Sequence, residues 1–384
     1  MIPGLDGLRA IAFLIVLGGH SSDIVFGWMG VQLFFVLSGF LITGILLRMK
    51  ESLPVKQYFA KFYGRRFLRI IPLYYLYLFL LTLAIWQKNL IPLRFFKDEL
   101  LNVAAPQLSY AYLYVYDFFH ASSAFVHTRL LTHLWSLSVE EQFYILWPLI
   151  LVLTPKEKLK TLFLATIAIG PVVRLATYFI YSSGWIAAPQ NDPALAIYVL
   201  PFSHVDAFAM GAFISQFHLP QPRKQLAILA VVIPAIGYLT QYLVDGAIIP
   251  ASLGYEFIMP TAYKFVWGYS LLNYLFALTI YTVAQTGLFT RVLDSFVFSY
   301  LGKISYGLYV YHFPVTFFVY KYIPRLIPSS QHALTNFGVV VISFIVTTLL
   351  ASLSFYLFEK PISNLKDRFF PLKPDPQPAS PSPS

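Results

Sequence analysis

Apolar stretches recur along nearly the whole of this chain, separated by short polar links. They fall at 8–27, 29–48, 68–87, 133–153, 160–181, 195–216, 225–244, 264–284, 298–320 and 334–357, each near the ~20 residues that carry an α-helix across a bilayer. The pattern predicts an all-α integral membrane protein, a polytopic bundle of about ten transmembrane helices. No basic segment precedes the first stretch and no small-residue cleavage pattern follows it, so it is expected to be a retained span and not a removed signal. One membrane domain over 1–365 accounts for the length. The closing "PLKPDPQPASPSPS" from Pro371 has almost nothing to bury, and a disordered Pro/Ser-rich cytoplasmic tail is expected over 366–384. No internal repeat is visible.

Composition agrees with the pattern. Of 384 residues 58% are hydrophobic, 18% aromatic and 11% charged, far from a soluble domain, where about a quarter are charged. Charge outside the spans gives the orientation. The link 48–69 carries Arg48, Lys50, Lys56, Lys61, Arg65, Arg66 and Arg69 against Glu51 alone, and by the positive-inside rule it is expected to be cytoplasmic. Ten spans then place both termini in the cytoplasm. Links 182–194 and 245–263, expected outside, contain no Lys or Arg. The net charge of +10 is thus a topology signal and does not argue for nucleic acid. With no cysteine, disulfides, thiolate metal sites and acyl-cysteine intermediates are excluded, and no metal is expected.

Ionisable residues inside the spans cost at least ~2.5 kcal/mol each at the bilayer centre and need a partner, a wet cavity or a function. They are Arg9 and His20 on the first span, Glu140 and Glu141 on the fourth, Arg174 on the fifth, His204 and Asp206 on the sixth, and His312 on the ninth. Eleven helical steps separate Arg9 from His20, about 16 Å and nearly a whole number of turns, so both face one side. A single buried histidine can be a plain interhelical hydrogen-bond donor. Several ionisable groups at compatible depths point instead to a cavity.

Arg66 and Arg69 stand three apart just before the third span, on one helical face. That spacing suits bidentate hydrogen bonds to phosphate, although the same cations can serve topology and anionic head groups. In "FFVLSGFLITGIL" Gly39 suits close helix packing, and Ser38 is placed to hydrogen-bond into the cavity. "LGKISYGLYVYHFP" adds Ser305, Tyr306 and His312; its tyrosines alternatively belong to an interfacial belt.

"LDGLRAIA" leading to His20, "FFVLSGFLITGIL", "RRFLRIIPLYY", "LTHLWSLSVEEQFYILWP", "HVDAFAMGAFIS", "LGKISYGLYVYHFP" and "FEKPI" follow one another in order. Together they resemble the acyltransferase 3 family of bacterial membrane O-acyltransferases, over nearly the whole membrane domain. The resemblance implies a ten-span bundle in the bacterial inner membrane. It implies transfer of an acyl group, usually acetyl from cytoplasmic acetyl-CoA or another acyl-CoA, to a hydroxyl of a glycan or lipid-linked saccharide. It also implies that Arg9 and His20 form the family's arginine–histidine pair, that Arg66 and Arg69 form its RxxR pair, and that Glu140 is its acid. Some members carry an SGNH-type domain after a further span; this chain resembles the standalone members, which act alone or with a separate periplasmic partner.

The chemistry fits. An alcohol attacks a thioester slowly unless a base takes its proton, and histidine is the natural base near neutral pH. His20 is the candidate, either as general base or as transient acyl carrier. Glu140 is expected to orient it, with Glu141 and Asp23 as rivals. Arg9, Arg66 and Arg69 are expected to hold the CoA phosphates. Ser38, Glu141, Arg174, His204, Asp206, Tyr306 and His312 are expected to line the tunnel or acceptor site. A transporter or flippase for a lipid-linked glycan is the rival class, because it too buries ionisable residues in spans.

Overall fold

A computed structural model describes residues 2–22, 24–87, 98–322 and 332–372. Asp23 and the tail residues 373–384 lie outside the described residues. The described chain is helical, without strands. Its α-helices are α1 (Leu5–Ser21), α2 (Met29–Ser52), α3 (Val55–Gln87), α4 (Asp98–Ala104), α5 (Leu108–Tyr112), α6 (Tyr116–His120), α7 (Trp135–Leu153), α8 (Leu159–Ser182), α9 (Pro193–Val199), α10 (Val205–Gln216), α11 (Pro222–Asp245), α12 (Lys264–Thr286), α13 (Thr290–Leu293), α14 (Phe296–Lys303), α15 (Ser305–Tyr322), α16 (His332–Ser354) and α17 (Lys360–Phe369).

The described residues of each of the ten apolar stretches are largely helical, with breaks at Leu200 and Ile304 and extended backbone at Ser22 and Ile24. Among the described residues seven helices are long and apolar enough to cross a membrane, or eight if the α9–α10 pair, bent by 69°, is one span. The bend sits where Pro201 follows an extended Leu200, because proline removes an amide donor and keeps the residue before it out of the helical region. Of the others, α1 has only 17 residues, and α15 is polar through Ser305, His312 and its tyrosines.

The structure corrects two boundaries. The basic link 48–69 is helix on both sides of a break at Leu53 and Pro54, since α2 runs to Ser52 and α3 begins at Val55. Arg66 and Arg69 therefore lie well inside a helix of 33 residues, and not ahead of it. Residues 366–369 are the end of α17, not the start of a disordered tail. Arg65 Nη1 holds that end, at 3.0 Å from the Phe370 carbonyl and 2.9 Å from Asp367 Oδ1.

The centre of the bundle is the contact of α2 with α10. A Cβ on Gly39 would strike the Phe208 carbonyl, and one on Gly211 would strike the Val36 carbonyl. Two glycines facing each other's backbone bring the helices to van der Waals contact, where lipid offers no competing hydrophobic gain. On the basic end of the bundle Lys50 Nζ caps α7, lying 2.8 Å from the Leu151 carbonyl and 2.6 Å from the Thr154 carbonyl. At the opposite end α6 packs on α7, while α4 and α5 pack on α3. Gln142 Nε2 donates to both oxygens of Asp117, at 2.9 and 3.1 Å, and to the Tyr114 carbonyl at 2.9 Å.

Asp117 is fully buried, and burial pushes its carboxyl up from 3.8 to about 7. The folded protein thus binds this proton more tightly than the unfolded chain. Stability from this group is full below about pH 4 and is lost as pH rises towards 7. Asp117→Asn is expected to flatten the fall in melting temperature of the detergent-purified protein over that window, and an unchanged slope would exclude Asp117 as its source.

Candidate active site

Helix α1 carries one charged group near each end. At its first turns Arg9 Nη1 lies 3.0 Å from Asp6 Oδ1. Arg66 and Arg69 reach the same region from α3, so that Arg9 and Arg66 are the charges acting most strongly on Arg69. Arg66 has a weak ion pair, 3.6 Å from Glu141 Oε1, and its guanidinium lies 3.0 Å over the ring of Tyr144. Its Nε is buried with no hydrogen-bond partner. Arg69 is solvent-exposed and makes no hydrogen bond or ion pair with any described residue. Glu359 lies in a π-helical turn, Phe355–Glu359, between α16 and α17, bonded to Ser354 Oγ at 3.0 Å and within the field of Arg69. Three guanidinium groups are held together with donors to spare, which is an arrangement for a polyanion.

Beside this cluster Glu140 is bonded by Ser38 Oγ and by the Tyr144 hydroxyl, two groups that stand 2.8 Å from each other. Tyr306 donates to the Ile70 carbonyl at 3.2 Å. Its charged neighbours are Glu141, Glu140 and Glu359. The structure thus brings Arg9, Arg66, Arg69, Glu141, Glu140, Ser38 and Tyr306 to one wall.

Near the other end of α1, His20 meets His312 of α15 and not Glu140. His20 Nδ1 lies 2.9 Å from His312 Nε2, and His312 Nδ1 lies 2.6 Å from the Tyr309 carbonyl. A carbonyl can only accept, so His312 Nδ1 carries a proton. Neutral His312 then offers the Nε2 lone pair, and His20 Nδ1–H donates to it. The consequence is a His20 whose Nε2 is unprotonated and bonded to no described group. Phe313 packs edge-on to the His20 ring at 4.8 Å. His133, whose Nε2 donates to the Val310 carbonyl at 3.0 Å, stands behind with its ring 5.6 Å from that of His312. His20 is exposed where it lines an open cleft of about 390 Å³ with Arg129, Phe313 and the far turns of α15.

Arg174, Asp206 and His204 sit apart from both clusters. Arg174 and Asp206 form a fully buried bidentate pair at 3.0 and 2.9 Å. The remaining guanidinium donors go to the Ser203 carbonyl at 2.7 Å, the Val266 carbonyl at 3.0 and 3.2 Å, and Ser270 Oγ at 2.6 Å. His204 donates from Nε2 to the Tyr198 carbonyl at 2.9 Å and accepts from Gln32 Nε2 at 3.0 Å. Every donor of the pair is satisfied, and it ties α8, α10 and α12 together.

A family model described as an acyltransferase domain matches residues 2–356. The chain belongs to this acyltransferase family. Peptidoglycan O-acetyltransferase OatA of Listeria monocytogenes is 29% identical to it over 382 residues, covering 94% of this chain and 56% of the relative. O-acetyltransferase OatA of Staphylococcus aureus is 27% identical over 385 residues, covering 94% of this chain and 57% of the relative. The acyltransferase chain thus spans a little over half the length of these relatives. No solved structure matches.

Sequence reasoning passed over His133, Arg129, Lys321, Tyr144 and Glu359. The last stands in the quoted "FEKPI" and carried a signal, as an acid at the end of an apolar run; Tyr144 was one tyrosine among 27.

Two outcomes follow. Arg174→Ala leaves Asp206 buried and uncompensated and is expected to cost about 3–5 kcal/mol; Arg174→Met with Asp206→Leu recovers much of it, as thermal unfolding in detergent would record. In ¹⁵N-histidine spectra His20 is expected to show a proton-bearing Nδ1 and a bare Nε2, and His312→Ala to average the two. A bare Nδ1 in the parent protein would overturn the assigned tautomer.

Proposed function

We propose that this membrane acyltransferase moves an acyl group, acetyl in the first instance, from cytoplasmic acyl-CoA to a hydroxyl of a cell-envelope glycan or lipid-linked saccharide in the bacterial inner membrane. Peptidoglycan, named in the Listeria relative, is the first acceptor to test. One observation carries the reading: α1 joins an arginine cluster with unused donors to an imidazole with a bare Nε2, about 16 Å apart along its axis. The cluster takes the phosphates of CoA, and an extended pantetheine arm covers the distance to His20.

The reaction needs only these groups. His20 Nε2 removes the acceptor hydroxyl proton as its oxygen attacks the thioester carbonyl, and the C–S bond breaks. The departing thiolate recovers the proton from His20. His312 holds the ring in the productive tautomer and accepts a stronger hydrogen bond once His20 is cationic, as the third member of a triad does. Glu140, hydrogen-bonded to Ser38 and Tyr144, supplies the acidic wall between the arginines and the imidazole pair. In this reading all ten apolar stretches cross the bilayer, both termini and the basic ends of α2, α3 and α7 face the cytoplasm, and His20 opens outward. Family membership does not favour the flippase.

Radiolabelled acetyl-CoA and envelope glycan test it. His20→Ala is expected to lose about 10²–10⁴ in transfer rate. Arg66→Ala and Arg69→Ala are expected to raise KM for acetyl-CoA more than they lower kcat. His312→Ala is expected to lower kcat and alter the pH profile, with partial recovery in His312→Gln, whose carbonyl accepts the same hydrogen bond. Absence of thioester cleavage with every acceptor, alongside measurable glycolipid movement, would sink the acyltransferase reading. A mass shift on His20 after donor alone would make it an acyl carrier instead of a base.

A further inference from the structure

The cleft above His20 has chemistry of its own. One wall is a single face of α15, with Phe313, Thr316, Phe317 and Tyr320 at steps of three and four residues. Two cations complete it. Arg129 comes from the segment between α6 and α7 and stands 5.5 Å from the Phe313 ring, and Lys321 comes from the last turn of α15. Neither forms an ion pair or hydrogen bond with any described residue, and no described acid lines the cleft. Thr316 is 4% exposed, and its hydroxyl has no hydrogen-bond partner, an orphan that needs one from whatever fills the space.

Each feature narrows the occupant. About 390 Å³ is the size of a small-ligand pocket and holds one or two sugar rings. Aromatic side chains present flat apolar faces to the C–H side of such rings. The Thr316 hydroxyl matches a sugar hydroxyl. None of this calls for charge, yet the mouth carries two cations that no described acid pairs. Guanidinium and ammonium groups without a described acid beside them suit a carboxylate or phosphate.

We propose that this cleft is the acceptor subsite and that it selects an anionic saccharide, one carrying a carboxylate or phosphate that Arg129 and Lys321 hold while a hydroxyl of the same molecule reaches His20. This rests on the reading of His20 as the reacting base. The arginine cluster at the far end of α1 then binds the anionic donor, and this second cationic site binds an anionic acceptor. Polyanions are received at both ends of one helix, by separate side chains.

Calorimetry on the detergent-purified full chain tests it without the donor. The probes are trigalacturonate and its neutral methyl ester, and glucose 1-phosphate and glucose. At least one charged probe is expected to bind about tenfold more tightly than its neutral partner, a difference of about 1.4 kcal/mol. The arm that shows the preference tells carboxylate from phosphate. Arg129→Gln with Lys321→Gln is expected to erase the preference, Arg129→Lys to keep it, and Thr316→Val to weaken charged and neutral probes alike. Equal binding within both pairs, an unaltered preference in the double variant, or no binding of either charged probe at about 10 mM would overturn the proposal. Acetyl-CoA cleavage by the same preparation is read separately. Cleavage without charge preference defeats the selectivity alone, whereas probe binding with no cleavage under any condition defeats the acyl-transfer reading and the acceptor role with it.

Discussion

The hydrogen bond from His20 to His312 fixes what the rest of this bundle can do. It exists because the Tyr309 carbonyl, at 2.6 Å, accepts from His312 Nδ1 and leaves the other ring nitrogen as an acceptor. A backbone carbonyl cannot change its role, so with His312 neutral the direction of the chain of bonds is set by the fold. His20 is thereby delivered with its lone pair on Nε2, on the ring edge away from His312. A neutral partner orients the ring without adding a charge beside it.

Helix α1 makes that dyad useful by where its other end lies. Its early turns pack on α14 so closely that a Cβ on Gly302 would strike the Asp6 carbonyl, and Asp6 in turn holds Arg9. The position of the arginine cluster and the position of His20 are then one rigid length apart. Only α3, through Arg66 and Arg69, and α7, through Glu140, Glu141 and Tyr144, need to be brought alongside. The Glu140–Ser38–Tyr144 hydrogen bonds join α7 to α2, and Arg66 joins α3 to Glu141 and Tyr144 of α7.

Much of this could be read from the chain. Ten long apolar stretches against a solvent of hydrocarbon leave helices as the one local answer, and the described residues of each stretch are largely helix. Arg9 and His20 were placed at opposite ends of one helical face by arithmetic alone. The helix that carries Arg66 was misjudged because hydropathy falls when cations gather, and a hydropathy window ends where helix formation does not. Lysine and arginine are good helix formers; only Pro54 breaks the run. The partner of His20 was not legible. Glu140 and His312 lie 120 and 292 positions away in the chain, both are ionisable, and only packing decides which comes into reach.

Buried guanidinium groups separate structure from site in this molecule. Arg174 has every donor matched by a carboxylate, two carbonyls and a hydroxyl, so it demands nothing further and welds three helices. Arg66 is held only by a 3.6 Å ion pair and a tyrosine face, with a buried Nε unanswered. An unmatched donor costs about 1–3 kcal/mol in a buried setting, and a bundle that satisfies Arg174 so completely does not lack the means to satisfy Arg66. In the proposed reaction a mobile anion closes that donor for part of each cycle. The same logic holds for the Thr316 hydroxyl in the cleft. Between these two arginines the satisfied one ties helices together and the unsatisfied one keeps a donor open.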